Sequence, residues 1–316
     1  MKELVVVAIG GNSIIKDNAS QSIEHQAEAV KAVADTVLEM LASDYNIVLT
    51  HGNGPQVGLD LRRAEIAHER EGLPLTPLAN CVADTQGGIG YLIQQALNNR
   101  LARRGEQKAV TVVTQVEVDK NDPGFANPTK PIGAFFNEAQ RDELLRVNPG
   151  WHFVEDSGRG YRRVVASPEP KRIVEAEAIK TLTQQGFVVI GAGGGGIPVV
   201  RSDQGDYQSV DAVIDKDLST ALLAQEIRAD ILVITTGVEQ VCIHFGKPNQ
   251  QALDTVDVAT MTRYMQEGHF PPGSMLPKVV ASLAFLERGG KRVIITTPEC
   301  LPAALRGETG THIVHS

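Results

Sequence analysis

Three lysines occupy positions that aim a side chain instead of leaving it loose on a helix surface. Lys130 lies in NPTKPIG, between prolines that stiffen the chain. Lys216 lies in AVIDKDLSTALL, after an apolar run and at the start of a helical pattern. Lys278 lies in PPGSMLPKVV, just past Pro277 and again near a helix start. Aimed cations suit phosphoryl transfer, where catalysis is mostly alignment plus stabilisation of charge on the moving group. Asp217 is placed to orient ammonium groups or to act around Mg²⁺. Asp215 and Asp217 also suit a second role, capping the helix that follows.

Glycine loops are the second component. VVVAIGGN puts Gly10, Gly11 and Asn12 after one strand-like run, and IVLTHGNGPQVG puts Gly52, Asn53 and Gly54 after another. A third loop, FVVIGAGGGGIP, follows a third run. Glycine lets backbone N–H groups approach an anion closely, because no Cβ intervenes. In a parallel sheet such loops share the carboxyl edge, where open α/β folds bind ligands. Three on one edge imply an extended anionic ligand, or two ligands sharing a moving phosphate. The third loop also satisfies G-x-G-x-x-G from Gly191 to Gly196. A dinucleotide loop needs a helix directly after it to receive the pyrophosphate. Here Ile197-Pro198-Val199-Val200 follows and reads as strand, so that reading fails on context. The G-x-x-x-x-G-K-[ST] phosphate loop is absent too.

Other polar residues carry less. His51, in THGNGP, either bonds a phosphate or shapes its turn. GRGYRR reads as a solvated basic patch before an anion clamp. His68, His244 and His269 show no partner spacing.

The elements that must position these residues alternate. Strands are expected at Leu4–Ile9, from Asn46 into the second glycine loop, and at Ala109–Val118, Phe187–Ile190, Ile231–Thr235 and Arg292–Thr296. Helices are expected from Ile23 to Leu41 with Ser22 as N-cap, and over Leu92–Leu101, Arg172–Gln184, Leu218–Ile227 and Lys278–Glu287. The alternation implies a parallel sheet with helices on both faces. Asp119–Pro168 breaks the rhythm with dense Pro, Gly and Arg, and reads as an inserted lid or small subdomain between two halves.

The totals bound the answer. The chain has 316 residues, 42% hydrophobic and 22% charged, enough for one large α/β domain or two lobes. A net charge of -8 argues against nonspecific grip on nucleic acid or an anionic membrane, but not against an anionic small ligand held by local lysines. Cys81, Cys242 and Cys300 lack ligand spacing and read as free thiols in a reducing compartment. The apolar N-terminal run is too short for a signal peptide or a span, so a cytoplasmic location is expected.

At these motifs the sequence resembles the carbamate kinases of the amino acid kinase superfamily. The matching runs include AIGGN, HGNGPQVG, TQGGIGY, VTQVEVDKNDPGFANPTKPIG, GRGYRRVVASPEP, GAGGGGIPV, AVIDKD, GVEQVCIHFGKP and FPPGSMLPKV, in the family's order over nearly the whole chain. The resemblance implies a three-layer αβα fold around a mostly parallel sheet, with two lobes at about 1–185 and 186–316. It also implies a protruding subdomain near 119–168 and a homodimer. It implies phosphoryl transfer between ATP and carbamate, giving ADP and carbamoyl phosphate, with Mg²⁺ whose ligands stay open. A different small carboxylate acceptor, or a non-catalytic nucleotide-binding relative, is the alternative. By resemblance, Gly10, Gly11, Asn12, Gly52, Asn53 and Gly54 cradle the phosphoryl group and carbamate. Lys130 and Lys216 stabilise the transition state, Asp217 organises the lysines, and Lys278 binds nucleotide phosphate. Met275, Pro277 and the stretch from Gly237 to Val241 border the adenosine. Ser13, Phe136, Ala166 and Thr235 depart from the family's common Ala, Tyr, Pro and apolar residue, which bears on acceptor preference.

Overall fold

The computed structural model describes residues 2–10, 14, 22–106, 108–156 and 158–315. Its central feature, among those residues, is an eight-stranded sheet. From one edge the strands are Thr255–Asp257, Thr311–Val314, Arg292–Thr296, Ile231–Thr235, Leu4–Ile9, Asn46–His51, Val188–Ile190 and Ala109–Thr111. Neighbours run parallel except Arg292–Thr296 against Thr311–Val314.

The first strand shows why its sequence is apolar without alternation. Val6 and Ala8 pack with Ala221, Leu223, Val279 and Phe285 on one face. Val5, Val7 and Ile9 pack with Val30, Val37, Ile93 and Leu97 on the other. Successive strand residues face opposite ways, so a sheet covered on both sides must be apolar at every position. The result is the expected three layers. The helix Ile23–Ala42 starts where expected, with the Ser22 side chain accepting from the His25 amide.

Several expectations are corrected. The run 109–118 is two strands: Ala109–Thr111 joins the main sheet, and Gln115–Val118 joins a separate four-stranded sheet with Pro170–Ile173, Ile197–Arg201 and Tyr207–Ser209. The helix expected from Arg172 begins at Ala176, because Pro170–Ile173 is spent as a strand antiparallel to Gln115–Val118. The second glycine loop opens directly into the helix Gly54–Glu71, which its Gly, Pro and charged residues hid from periodicity. The helix around 92–101 runs from Leu78 to Ala102.

Between the paired strands Gln115–Val118 and Pro170–Ile173 the chain leaves the body as an arm. The arm holds a three-stranded antiparallel sheet, Lys130–Phe136, Tyr161–Val165 and His152–Glu155, and the helix Glu138–Val147. It crosses the body where Gly58 meets Gly133. A Cβ at Gly58 would lie 2.1 Å from the Gly133 nitrogen, so only glycine allows the approach. No helix among the described residues is long and apolar enough to cross a membrane, and Cys81, Cys242 and Cys300 are free.

Candidate active site

The helix Lys216–Glu226 begins at the carboxyl edge of the main sheet. Asp215 caps it, accepting from the Asp217 and Leu218 amides at 2.8 and 3.3 Å. Capping was one of its two readings; the structure adds an ion pair, because the other oxygen of Asp215 receives Lys130 Nζ at 2.7 Å. Asp217 sits one step into the helix. Its Oδ1 accepts from Lys216 Nζ and its Oδ2 from Lys278 Nζ, each at 2.7 Å. Lys278 comes from the adjacent helix Met275–Glu287. Three lysines far apart in sequence therefore meet on two aspartates that share one helical turn. Asp217 organises two of the lysines, and Lys130 is brought in by Asp215 instead.

Burial makes this network matter. The Asp217 side chain is 5% exposed and that of Lys216 11%. Burial alone would push the Asp217 carboxyl up, but the ammonium groups of Lys216 and Lys278 hold it well below the usual carboxylate range. Asp215 is likewise held low by Lys130 against its own burial. Burial lowers the pKa of Lys216 despite the pull of Asp217, with Lys278 adding to the effect. Three positive groups face two negative ones, so the cluster carries a surplus positive charge suited to an anion.

The second glycine loop lies on the same edge. Gly52 donates its amide to the Ile9 carbonyl at 3.0 Å, tying this loop to the first. The Asn53 side chain is buried and donates to Thr85 Oγ1 at 2.9 Å. Among the described residues no side-chain cap bond closes the start of the helix Gly54–Glu71, and a free helix start of this kind suits an anion. His51 is turned into its own loop. It is 1% exposed, its Nδ1 faces the Gly52 carbonyl at 3.2 Å, and burial pushes its imidazole down to about 4.

The third loop is a joint and not a cradle. Residues 191–196 are buried, and the strand Ile197–Arg201 follows them, as the sequence reading required. A Cβ at Gly193 would lie 2.4 Å from His51 Nε2, and at Gly194 2.1 Å from Asn53 Nδ2. Gly195 faces the Ile214 carbonyl, and its own carbonyl accepts from Ser219 at 2.7 Å. The glycines thus let the Asn53 loop and the segment before Asp215 close on one spot. Gln86, inside TQGGIGY, braces the joint through the Gly193 carbonyl and both backbone groups of Thr114. Nothing in the spacing of Gln86 marked it beforehand.

Gly11, Asn12 and Ser13 lie outside the described residues. The Gly10 amide is already donated to Thr235 Oγ1 at 3.1 Å, so Gly10 can serve a cradle through its missing side chain and not through its N–H. Gly237 is exposed, and Met275, Pro277 and Lys278 are half-buried around the start of their helix, which also lacks a side-chain cap. Val241 is fully buried, its N–H donating to Thr311 Oγ1 and its C=O accepting from the Leu253 amide.

GRGYRR is solvated only at its start, where Gly158 and Arg159 are exposed. Arg162 is 12% exposed, pairs with Asp156 at 3.2 Å, and approaches the Gly54 carbonyl at 3.4 Å with Nη2. Its neighbour Arg163 points the other way, bonding Glu65 at 2.6 Å and stacking 3.7 Å over Trp151. His244 and His269, without spacing in sequence, meet edge to face at 4.5 Å.

Among the described residues no three His, Cys, Asp or Glu side chains gather in a way that could hold a metal ion. Both oxygens of Asp217 are taken by lysines, and both of Asp215 are taken as well. These residues do not fit a protein cage for Mg²⁺, which commonly travels on nucleotide phosphates with few protein ligands.

Residues 3–297 match the amino acid kinase family. Carbamate kinase-like protein YahI of Escherichia coli is 90% identical, over 99% of each chain. Carbamate kinase of Pyrococcus furiosus is 47% identical over 99% of this chain and 100% of its own. Carbamate kinase from Giardia lamblia bound to AMP-PNP superimposes with a TM-score of 0.89 at 40% identity, covering 100% of this chain and 99% of its own.

Proposed function

The chain belongs to the amino acid kinase family, in its carbamate kinase branch, and from that premise we propose that it moves a phosphoryl group between ATP and carbamate. A carbamate oxygen attacks the γ-phosphorus in line. The new O–P bond forms as the bond to the β-bridging oxygen breaks, and ADP leaves. The nucleophile is already an anion, so no general base is required. That matches a site of lysines in which the His51 imidazole is held neutral by burial.

Each residue has a task set by its position. Lys216 and Lys278, fixed by Asp217, neutralise charge on the transferred group and on the nucleotide phosphates. Lys130 brings a third ammonium group from the arm. The uncapped start of the helix at Gly54, beside Asn53, receives the acceptor side. Gly237, Met275 and Pro277 border the adenosine, and the Giardia enzyme with AMP-PNP supports a nucleotide in this fold. Mg²⁺ would arrive with the nucleotide and supply further charge neutralisation there.

The observation that carries this reading is Asp217 holding two buried lysines at 2.7 Å while Asp215 holds the third. The test is ATP formation from ADP by the purified protein, with carbamoyl phosphate set against acetyl phosphate and other acyl phosphates. The expected result is a preference for carbamoyl phosphate of about tenfold or more in kcat/KM. A preference for another acyl phosphate would overturn the acceptor, and no ATP from any of them would overturn the kinase reading.

A further inference from the structure

Arg162 carries a charge from the arm to the start of the helix Gly54–Glu71. It stands on the strand Tyr161–Val165, with its side chain 12% exposed. Its two terminal nitrogens go opposite ways. Nη1 pairs with Asp156 on the arm at 3.2 Å, and Nη2 comes to 3.4 Å from the Gly54 carbonyl on the body. Asp156 does not serve Arg162 alone, because its other oxygen receives Arg159 at 3.5 Å. One carboxylate thus faces two guanidinium groups, which stand over the Phe135 ring at 4.5 and 5.2 Å.

The edge of the Arg162 guanidinium toward Gly54 is poorly used. Among the described residues, Nε is buried without a hydrogen-bond partner, and Nη2 has the long contact to Gly54. A buried donor left unmet costs free energy, and a charged one costs more. Nε and a terminal nitrogen together make the fork that takes a carboxylate side on. The electrostatics agree. The helix start at Gly54 is the positive end of a dipole and has no side-chain cap bond. A cation beside it is unfavourable unless an anion sits between them. Burial already pushes the Arg162 pKa down, against the pull of Asp156.

We propose that Arg162 binds the acceptor, its guanidinium taking the carboxylate oxygen that is not phosphorylated and holding the acceptor against the helix start at Gly54. This rests on the kinase reading above and names the side chain that recognises its acceptor. In the direction of ATP formation, the same contact holds the acyl oxygen of the acyl phosphate. The nucleotide phosphates belong to Lys216 and Lys278, so the loss of Arg162 falls on the acceptor and not on ADP.

The experiment compares R162Q and R162K with the parent in ATP formation, using whichever acyl phosphate the parent turns over fastest. The acyl phosphate and ADP are varied in turn. Trp151, the chain's single tryptophan, lies on the arm, so its emission shows whether the arm keeps its packing. R162Q is expected to raise the KM for the acyl phosphate about tenfold to a hundredfold, with the KM for ADP within about twofold of the parent. R162K keeps a charge without the fork and is expected to fall between the two. An R162Q with parental emission and a parental KM for the acyl phosphate overturns the proposal. A loss confined to kcat overturns it in favour of arm placement, and equal rises in both KM values overturn it as well. A shift of the Trp151 emission in both variants assigns Arg162 to the fold of the arm and overturns it too. A parent that makes no ATP from any acyl phosphate removes the kinase reading, and the Arg162 role with it.

Discussion

Lys216 and Lys278 rise from two helices packed on the main sheet, and the carboxylate between them is 5% exposed. Lys130 comes from the arm, whose helix Glu138–Val147 buries none of its residues. The arm meets the body through a small apolar cluster, in which Ile132 and Val165 pack with Val57, Leu61 and Val82, and through the Gly58–Gly133 crossing, Arg163 on Glu65, and Arg162 near Gly54. So the floor carries its charges on helices of the main core, while the arm delivers its charge on a sheet fixed by this smaller cluster. Such a region opens more readily than the core does. The contrast teaches that the same chemical group, an ammonium at 2.7 Å from an aspartate, carries more structural duty on the floor, where one carboxylate serves two lysines, than on the arm, where it serves one.

The severest way to break that contrast is Asp217→Asn. It leaves Lys216 and Lys278 facing each other without their shared charge. Turnover should fall about a hundred- to a thousandfold, and stability should fall by on the order of 3 kcal/mol. Steady-state kinetics and urea unfolding read the two effects separately. Parental turnover would remove Asp217 from the site. Lys130→Ala should also cost about a hundredfold in turnover, and should cost less stability than Asp217→Asn, because it removes one ammonium group and leaves the Asp215 cap bonds in place. If it unfolds the protein as readily as Asp217→Asn does, the division between floor and arm is wrong.

Gly58→Ala attacks the joint and not the charges. The added Cβ would press into Gly133 and displace the strand that carries Lys130. Turnover should drop about tenfold or more through misalignment alone, and unchanged kinetics would show that the arm is not placed by this crossing.

A further effect, on stability and not on turnover, concerns acid stability of the floor. Burial holds the His51 pKa at about 4, below its unfolded value of 6.5. The unfolded chain therefore takes up the proton first as pH falls. His51's contribution is complete above about pH 6.5 and is lost as pH falls toward about 4, up to about 3 kcal/mol. Urea unfolding of the parent and His51→Gln across that range should show a shallower pH slope in the variant. Equal slopes would mean His51 is not buried neutral.

Much of this was legible beforehand, for physical reasons. The strands covered on both faces read as apolar runs, and Lys130, Lys216, Lys278 and Asp217 stood out because prolines and helix starts fix where a side chain points. Asp215's grip on Lys130 was not legible, since nothing local links residues 85 positions apart. The burial of Arg162 was hidden because GRGYRR carries the composition of a solvated turn while its strand alternates faces. The glycine-rich third loop misled in a different way. Its glycines admit protein atoms of His51, Asn53 and Ile214, and a sequence cannot say whether the space beside a glycine is filled by a ligand or by the chain itself.

The most direct test of convergence is a crystal structure of the protein with AMP-PNP and Mg²⁺. The γ-phosphate is expected within hydrogen-bond reach of Lys216 or Lys278, facing the start of the helix at Gly54, with Lys130 Nζ turned to the same group. A nucleotide seated with its γ-phosphate away from these lysines would contradict the account.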